Sequence, residues 1–182
     1  MPLSQTRLAL AGFLLSLIAA LAAVPKASAA PTPAENPIVA RAFQDLGTYQ
    51  GQCWTWMQQV VLEATGRKVG FDYRQGFFEA GAVEVTLAEA GPGDVVQIAD
   101  DAWTTPDADY PGMHTAIIIE RVDATGFRII ESNGNWDGMV GIRESIYRPA
   151  ELAAARGLQY HIYRLTGSAP QPAPPAITGP LQ

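Results

Sequence analysis

Two apolar rhythms follow one another along the chain, a helical one first and an extended one later. Pro37–Gln44 suits a short helix. A second helix starts near Gly51, where Cys53, Met57, Val60, Val61 and Ala64 fall at i, i+4, i+7, i+8 and i+11, one helical face. Gly66 stops it. After the turn Gly91-Pro92-Gly93 the pattern becomes extended, with a strand over Gly93–Ile98. Thr115–Val122 and Phe127–Asn133 form a hairpin around the turn Asp123–Gly126. Val140–Tyr147 and Leu158–Leu165 read as two more strands, with a short helix over Pro149–Ala155 between them. Helices first and an antiparallel sheet afterwards predict an α+β domain over residues 37–166.

The flanks have other compositions. Arg7 precedes an apolar run, Leu8 to Val24, and Ala27-Ser28-Ala29 follows as a small-residue cleavage site. Residues 1–29 therefore read as a secretory signal peptide, and the expected location is periplasmic or secreted. Residues 30–36 read as a linker. Residues 167–182 are rich in Pro and small residues, a composition that cannot bury enough apolar surface to fold, and are expected to be disordered.

Charge narrows the partners. The 182-residue chain carries a net charge of −6. Loss of the signal removes Arg7 and Lys26 and no acid, leaving 10 basic residues against 18 acidic ones, a net charge of −8. Nucleic-acid binding needs Lys and Arg on phosphates, so it is not expected. No stretch after the signal is long and apolar enough to span a membrane.

Cys53 is the only cysteine, so no internal disulfide can form. It sits in Gly51-Gln52-Cys53-Trp54-Thr55-Trp56, at the first turn of the second helix. The partial positive charge of a helix N-terminus favours thiolate over thiol. The same unpaired N–H groups can hold an oxyanion, and Gln50 and Gln52 are both candidates for a further donor. Packing alone would also explain a cysteine on this apolar face.

Of the two histidines, His161 lies inside the last predicted strand, where a structural role is the default. His114 stands at the entrance of Thr115–Val122. Pairing Val122 with Phe127 sets Ala116 opposite Asn133 and Ile118 opposite Glu131. Alternation then places His114, Glu131 and Asn133 on one face, with Asn133 diagonal to His114. A slip of two residues preserves this and a slip of one destroys it. A polar side chain beside the imidazole completes a nucleophile–base–orienter set, with Glu131 and Asn133 both candidates. Trp54 and Trp56 are expected in the core. Trp103 and Trp136 fall in predicted loops and are candidates to line a cleft. Asp94 is expected to fix its turn through a side-chain bond to backbone.

Together these residues resemble the CHAP family of cysteine, histidine-dependent amidohydrolases and peptidases. The matches are Gly51-Gln52-Cys53-Trp54-Thr55-Trp56 at a helix start, Gly93-Asp94-Val95-Val96, His114 leading into Ala116-Ile117-Ile118-Ile119, and Glu131-Ser132-Asn133. The order Cys, His, Glu-x-Asn and the gaps of 61 and 17 residues are similar to the family's. The resemblance covers about residues 45 to 165. It implies a papain-like α+β fold, attack by Cys53, His114 as base and then acid, and Glu131 or Asn133 as orienter. It also implies hydrolysis of an amide bond in peptidoglycan or a related peptide, by a chain expected to be monomeric and to need no cofactor. Gln44–Gln52 holds only Asp45, so the Asp-rich calcium loop of some relatives is not expected. The NlpC/P60 cell-wall peptidases are the nearest alternative, but they typically show Asp-Cys-Ser-Gly where this chain has Gln52-Cys53-Trp54-Thr55. A catalytically silent wall-binding protein on the same fold is the alternative outside enzymes.

Overall fold

Asn36 caps the first helix. Its side chain accepts hydrogen bonds from the N–H groups of Ile38 and Val39, and Pro37 supplies a first helical residue with no N–H to satisfy. Helix α1 thus runs Pro37–Phe43. The Asn36 amide also donates to the Pro92 carbonyl at 2.8 Å, tying the helix start to the turn before β2. That turn needs Gly93: its φ is +83°, and an added Cβ would overlap the Asn36 side chain. The computed structural model describes residues 35–102, 113–134 and 141–165. The expected signal peptide, most of the linker, the tail, Trp103 and Trp136 lie outside the described residues.

Helix α2 runs Cys53–Thr65 and ends on Gly66 in the left-handed conformation, as a C-terminal glycine allows. Two short elements follow, α3 (Gln75–Glu79) and strand β1 (Ala82–Glu84). Then come β2 (Val95–Ala99), β3 (His114–Arg121), β4 (Phe127–Glu131), β5 (Arg143–Tyr147), α4 (Pro149–Arg156) and β6 (Gln159–Leu165). The strands form one six-stranded antiparallel sheet in the order β1-β6-β2-β3-β4-β5. The architecture is α+β. β2 is buried along its whole length, as a central strand covered on both faces should be. α2 packs on α1 and β3 through Met57, Val60 and Val61, all fully buried, and α4 packs on β2 and β6. Trp54 and Trp56 are in the core, as expected.

The hairpin register differs from the sequence expectation by two residues. Arg121, not Val122, faces Phe127, because the Asp123 side chain accepts from the Thr125 and Gly126 N–H groups and closes a longer turn. A bulge between Ile118 and Glu120 adds the second residue. Glu131 therefore faces Ala116 and Ile129 faces Ile118. Beyond the bulge the displacement is two residues, which keeps Ala116, Ile118, Ile129 and Glu131 on their expected face. β4 also ends at Glu131, so Asn133 lies beyond the strand, with a left-handed φ of +52°. Asp94 does fix its turn, accepting from the Gly91 N–H, and it also holds Arg164 through both carboxylate oxygens.

Candidate active site

The loop before Cys53 is held in place by the far edge of the sheet. Gly47 N–H donates to the Ile142 carbonyl, and Ile142 N–H donates to the Thr48 carbonyl. Trp56 Nε1 donates to Asp45 in the same loop. After it, Gly51 takes a positive φ of +82°. Gln52 is the N-cap residue of α2, extended at φ −70° and ψ 146°, and its side chain makes no capping hydrogen bond. The usual Ser, Thr, Asp or Asn cap would satisfy first-turn N–H groups. Here those of Cys53, Trp54 and Thr55 have no side-chain cap, and Cys53 is a half-buried free thiol among them.

His114 is the first residue of β3 and is 3% exposed. Ile98 faces it on β2. On its other side Glu131, the partner of Ala116, is diagonal to it, and His114 Nε2 lies 2.8 Å from Glu131 Oε2. The other Glu131 oxygen accepts from Arg143 Nε at 3.1 Å, directly across the β4–β5 ladder. Cys53 lies within interaction range of the imidazole. Nδ1 is buried and makes no hydrogen bond of standard geometry, so the sulfur contact is a loose one. Contacts of this kind commonly tighten only when substrate binds. The Tyr147 ring lies 6.1 Å from the imidazole and contributes apolar cover.

The charges follow from this packing. Burial alone would push the His114 pKa down. The hydrogen bond and charge of Cys53 and of Glu131 outweigh it and raise the value to about 9. Burial alone would raise the Glu131 carboxyl, but His114, Ser145 and Arg143 hold it below the ordinary carboxylate value. Near neutrality the imidazole is therefore a protonated group between a carboxylate and a sulfur. Such an arrangement can keep a thiolate beside an acid able to protonate a leaving group.

The other expected residues are placed as follows. Asn133 does not reach His114; its Nδ2 donates to Gln52 Oε1 at 2.7 Å, because the chain turns out of the strand after Glu131. Ser132 Oγ donates to the Gly51 carbonyl at 2.6 Å. The segment that supplies Glu131 thus also clamps the loop that supplies Cys53. Gln52, held by Asn133, directly precedes the nucleophile candidate, whereas Gln50 is exposed and donates to Thr48. Arg143 was missed from sequence. Its signal was its place opposite Glu131, unreadable without the β4–β5 register. Gly134 belongs to the same corner, where a Cβ would come within 2.7 Å of the Glu131 carboxylate. Among the described residues no three His, Cys, Asp or Glu side chains are grouped to hold a metal, and no helix is long and apolar enough to cross a membrane.

No family model and no curated protein matches the chain. Among solved structures it is similar to Ly7917, with 16% identity and a TM-score of 0.44 over 72% of this chain and 62% of that one. It is also similar to Ly7917 with the hydrolyzing product of MDP, with 14% identity and a TM-score of 0.40 over 71% and 60% of the two chains. The chain thus spans less than two thirds of the length of Ly7917.

Proposed function

We propose that the protein is an exported cysteine hydrolase of papain-like fold that cleaves an amide bond of peptidoglycan or a related peptide. The observation that carries the reading is the buried His114 ring, held on Glu131 through Nε2 and within interaction range of Cys53. A cysteine that only packed would need neither a buried imidazole nor a carboxylate behind it. Substrate class and location rest on the CHAP-like motifs and on the signal-like N-terminus.

In this mechanism the Cys53 thiolate attacks the scissile carbonyl carbon. The oxyanion is held by first-turn N–H groups of α2, with the Gln52 amide as further donor. His114 gives its proton to the departing amine as the C–N bond breaks, leaving a thioester on Cys53. His114 then takes a proton from water, whose oxygen attacks the thioester and releases the acid and the thiolate. Glu131 keeps the ring oriented and supports its charge.

The test is digestion of purified peptidoglycan by the protein and by Cys53→Ala, with products read by mass spectrometry. Soluble fragments carrying one new amine and one new carboxyl per cut, absent with Cys53→Ala, are expected. Unchanged peptidoglycan and stem peptides in both digests would contradict the reading and leave a binding protein.

A further inference from the structure

Asn133 lies where the chain leaves β4 and meets the loop that carries the nucleophile candidate. Its φ of +52° is left-handed, a conformation that Asn adopts more readily than most side chains. There its Nδ2 donates to Gln52 Oε1 at 2.7 Å. Asn133 is 5% exposed, whereas Gln52 lies at the surface. The residue before each partner is tied too, because Ser132 Oγ donates to the Gly51 carbonyl at 2.6 Å. The Gln52 carbonyl accepts from Trp56 N–H at 3.0 Å and from Thr55 Oγ1 at 3.2 Å. The backbone of Gln52 is thus held by the opening turn of α2, and its side chain by Asn133.

A primary amide has two unlike ends, an oxygen that only accepts and an NH2 group that only donates. With Oε1 taken by Asn133, the Nε2 end of Gln52 has no partner among the described residues and is left to donate. The reverse pairing, Gln52 Nε2 on Asn133 Oδ1, would fill the same space but leave an oxygen as the free end. An oxygen there would repel an oxyanion, whereas an N–H group would hold it. Which end is free therefore decides whether Gln52 helps or hinders attack by the next residue, Cys53.

Resting on the hydrolase reading, we propose that Asn133 is a positioning residue that fixes the Gln52 amide with Nε2 as its free end, a donor to the oxyanion formed when Cys53 attacks. A donor oriented before the reaction needs no reorganisation when the charge develops. The N-cap position suits the task, because Gln52 spends no side-chain group on capping α2. The two ends of the segment Glu131–Asn133 then serve different parts of the chemistry. Glu131 holds the imidazole, and Asn133 acts through Gln52 on the oxyanion.

The test compares Asn133→Gly, Asn133→Asp and Gln52→Ala in the hydrolysis of peptidoglycan. Gly and Asp both tolerate a left-handed φ, so the backbone is kept. Gly frees the Gln52 amide to rotate and should lower kcat by about tenfold. An ionised Asp can only accept, so it draws Nε2 to itself and leaves Oε1 as the free end. Its kcat should fall by about a hundredfold, close to the loss in Gln52→Ala. KM should change little, since the oxyanion forms only after binding. In the Gln52→Ala background, Asn133→Asp should cost nothing further. Cys53 alkylation by iodoacetamide forms no oxyanion and should keep its wild-type rate in Asn133→Gly. A larger loss with Gly than with Asp, a full loss from Asp without Gln52, or slowed alkylation would overturn the proposal. The orientation is also read without catalysis, by NMR of Cys53→Ala. The Gln52 NH2 protons should exchange with water as a free amide does, and those of Asn133 should be protected. Protection of the Gln52 NH2 would overturn the proposal. The expected exchange pattern in a protein that hydrolyses no peptide would overturn the hydrolase reading and leave the orientation standing. Hydrolysis at an undiminished rate in Asn133→Asp would do the reverse.

Discussion

His114 and His161 are both buried strand residues beside a glutamate, and they differ in what is left for the second nitrogen. His161 has carboxylates on both sides, Glu84 and Asp101. His114 has Glu131 on Nε2, while its Nδ1 has no hydrogen-bond partner among the described residues and Cys53 lies within interaction range of the ring. An imidazole locked between two carboxylates has no nitrogen with which to move a proton. One anchored by a single carboxylate is oriented and still available. The distinction lies in partners, and neither burial nor strand position reveals it.

Replacing the two residues should therefore have effects of different kinds. His114→Ala should lower the rate of peptide hydrolysis by about a thousandfold or more, because nucleophile and base act as a unit. His161→Ala should instead lower thermal stability, since Glu84 and Asp101 lose a shared partner, at a cost of about 1–3 kcal/mol. Equal losses of activity per unit of stability lost in the two variants would break the comparison.

Glu131→Gln comes next in size. It keeps the shape and removes the charge that helps hold the His114 pKa at about 9. Activity should fall by about tenfold to hundredfold, part of the general acid–base contribution. The alkaline limb of the pH–rate profile, set near pH 9 by loss of the His114 proton, should move down. The same raised pKa links to stability. The protonated ring stabilises the fold fully below its ordinary value of 6.5 and progressively less as pH rises through about 9. Melting temperature should fall across that window in the wild type, and fall less in Glu131→Gln.

Arg143→Ala should act more weakly and at the other limb. It removes a charge that depresses the Glu131 pKa, so the acid limb of the profile should move up. Ser132→Ala should be the smallest change, costing about 1 kcal/mol in stability through the freed Gly51 carbonyl.

Much of this frame is legible in the chain, because strand alternation survives errors of two residues. His114 and Glu131 share a face in the expected register and in the observed one, even though the Asp123 turn and the bulge near Ile119 displace the pairing. Which of Glu131 and Asn133 meets the imidazole depended on that displacement and on the left-handed φ of Asn133, which no apolar pattern encodes. The short elements α3 and β1 were missed for a related reason. Five and three residues are too few to show a period. Gly76 in α3 is set by the close approach of Gly70, a contact six residues back rather than a repeat. The boundary at Pro37 was legible, but the cap that sets it, Asn36, fell in the expected linker.

The measurement that tests the Cys53–His114 pair most directly is the rate of Cys53 alkylation by iodoacetamide as a function of pH, in the wild type and in His114→Ala. The pair predicts rapid alkylation persisting down to about pH 6 in the wild type and at least about a tenfold slower reaction there without His114. Alkylation with the pH dependence of an ordinary thiol in both proteins, or no alkylation in either, would contradict it.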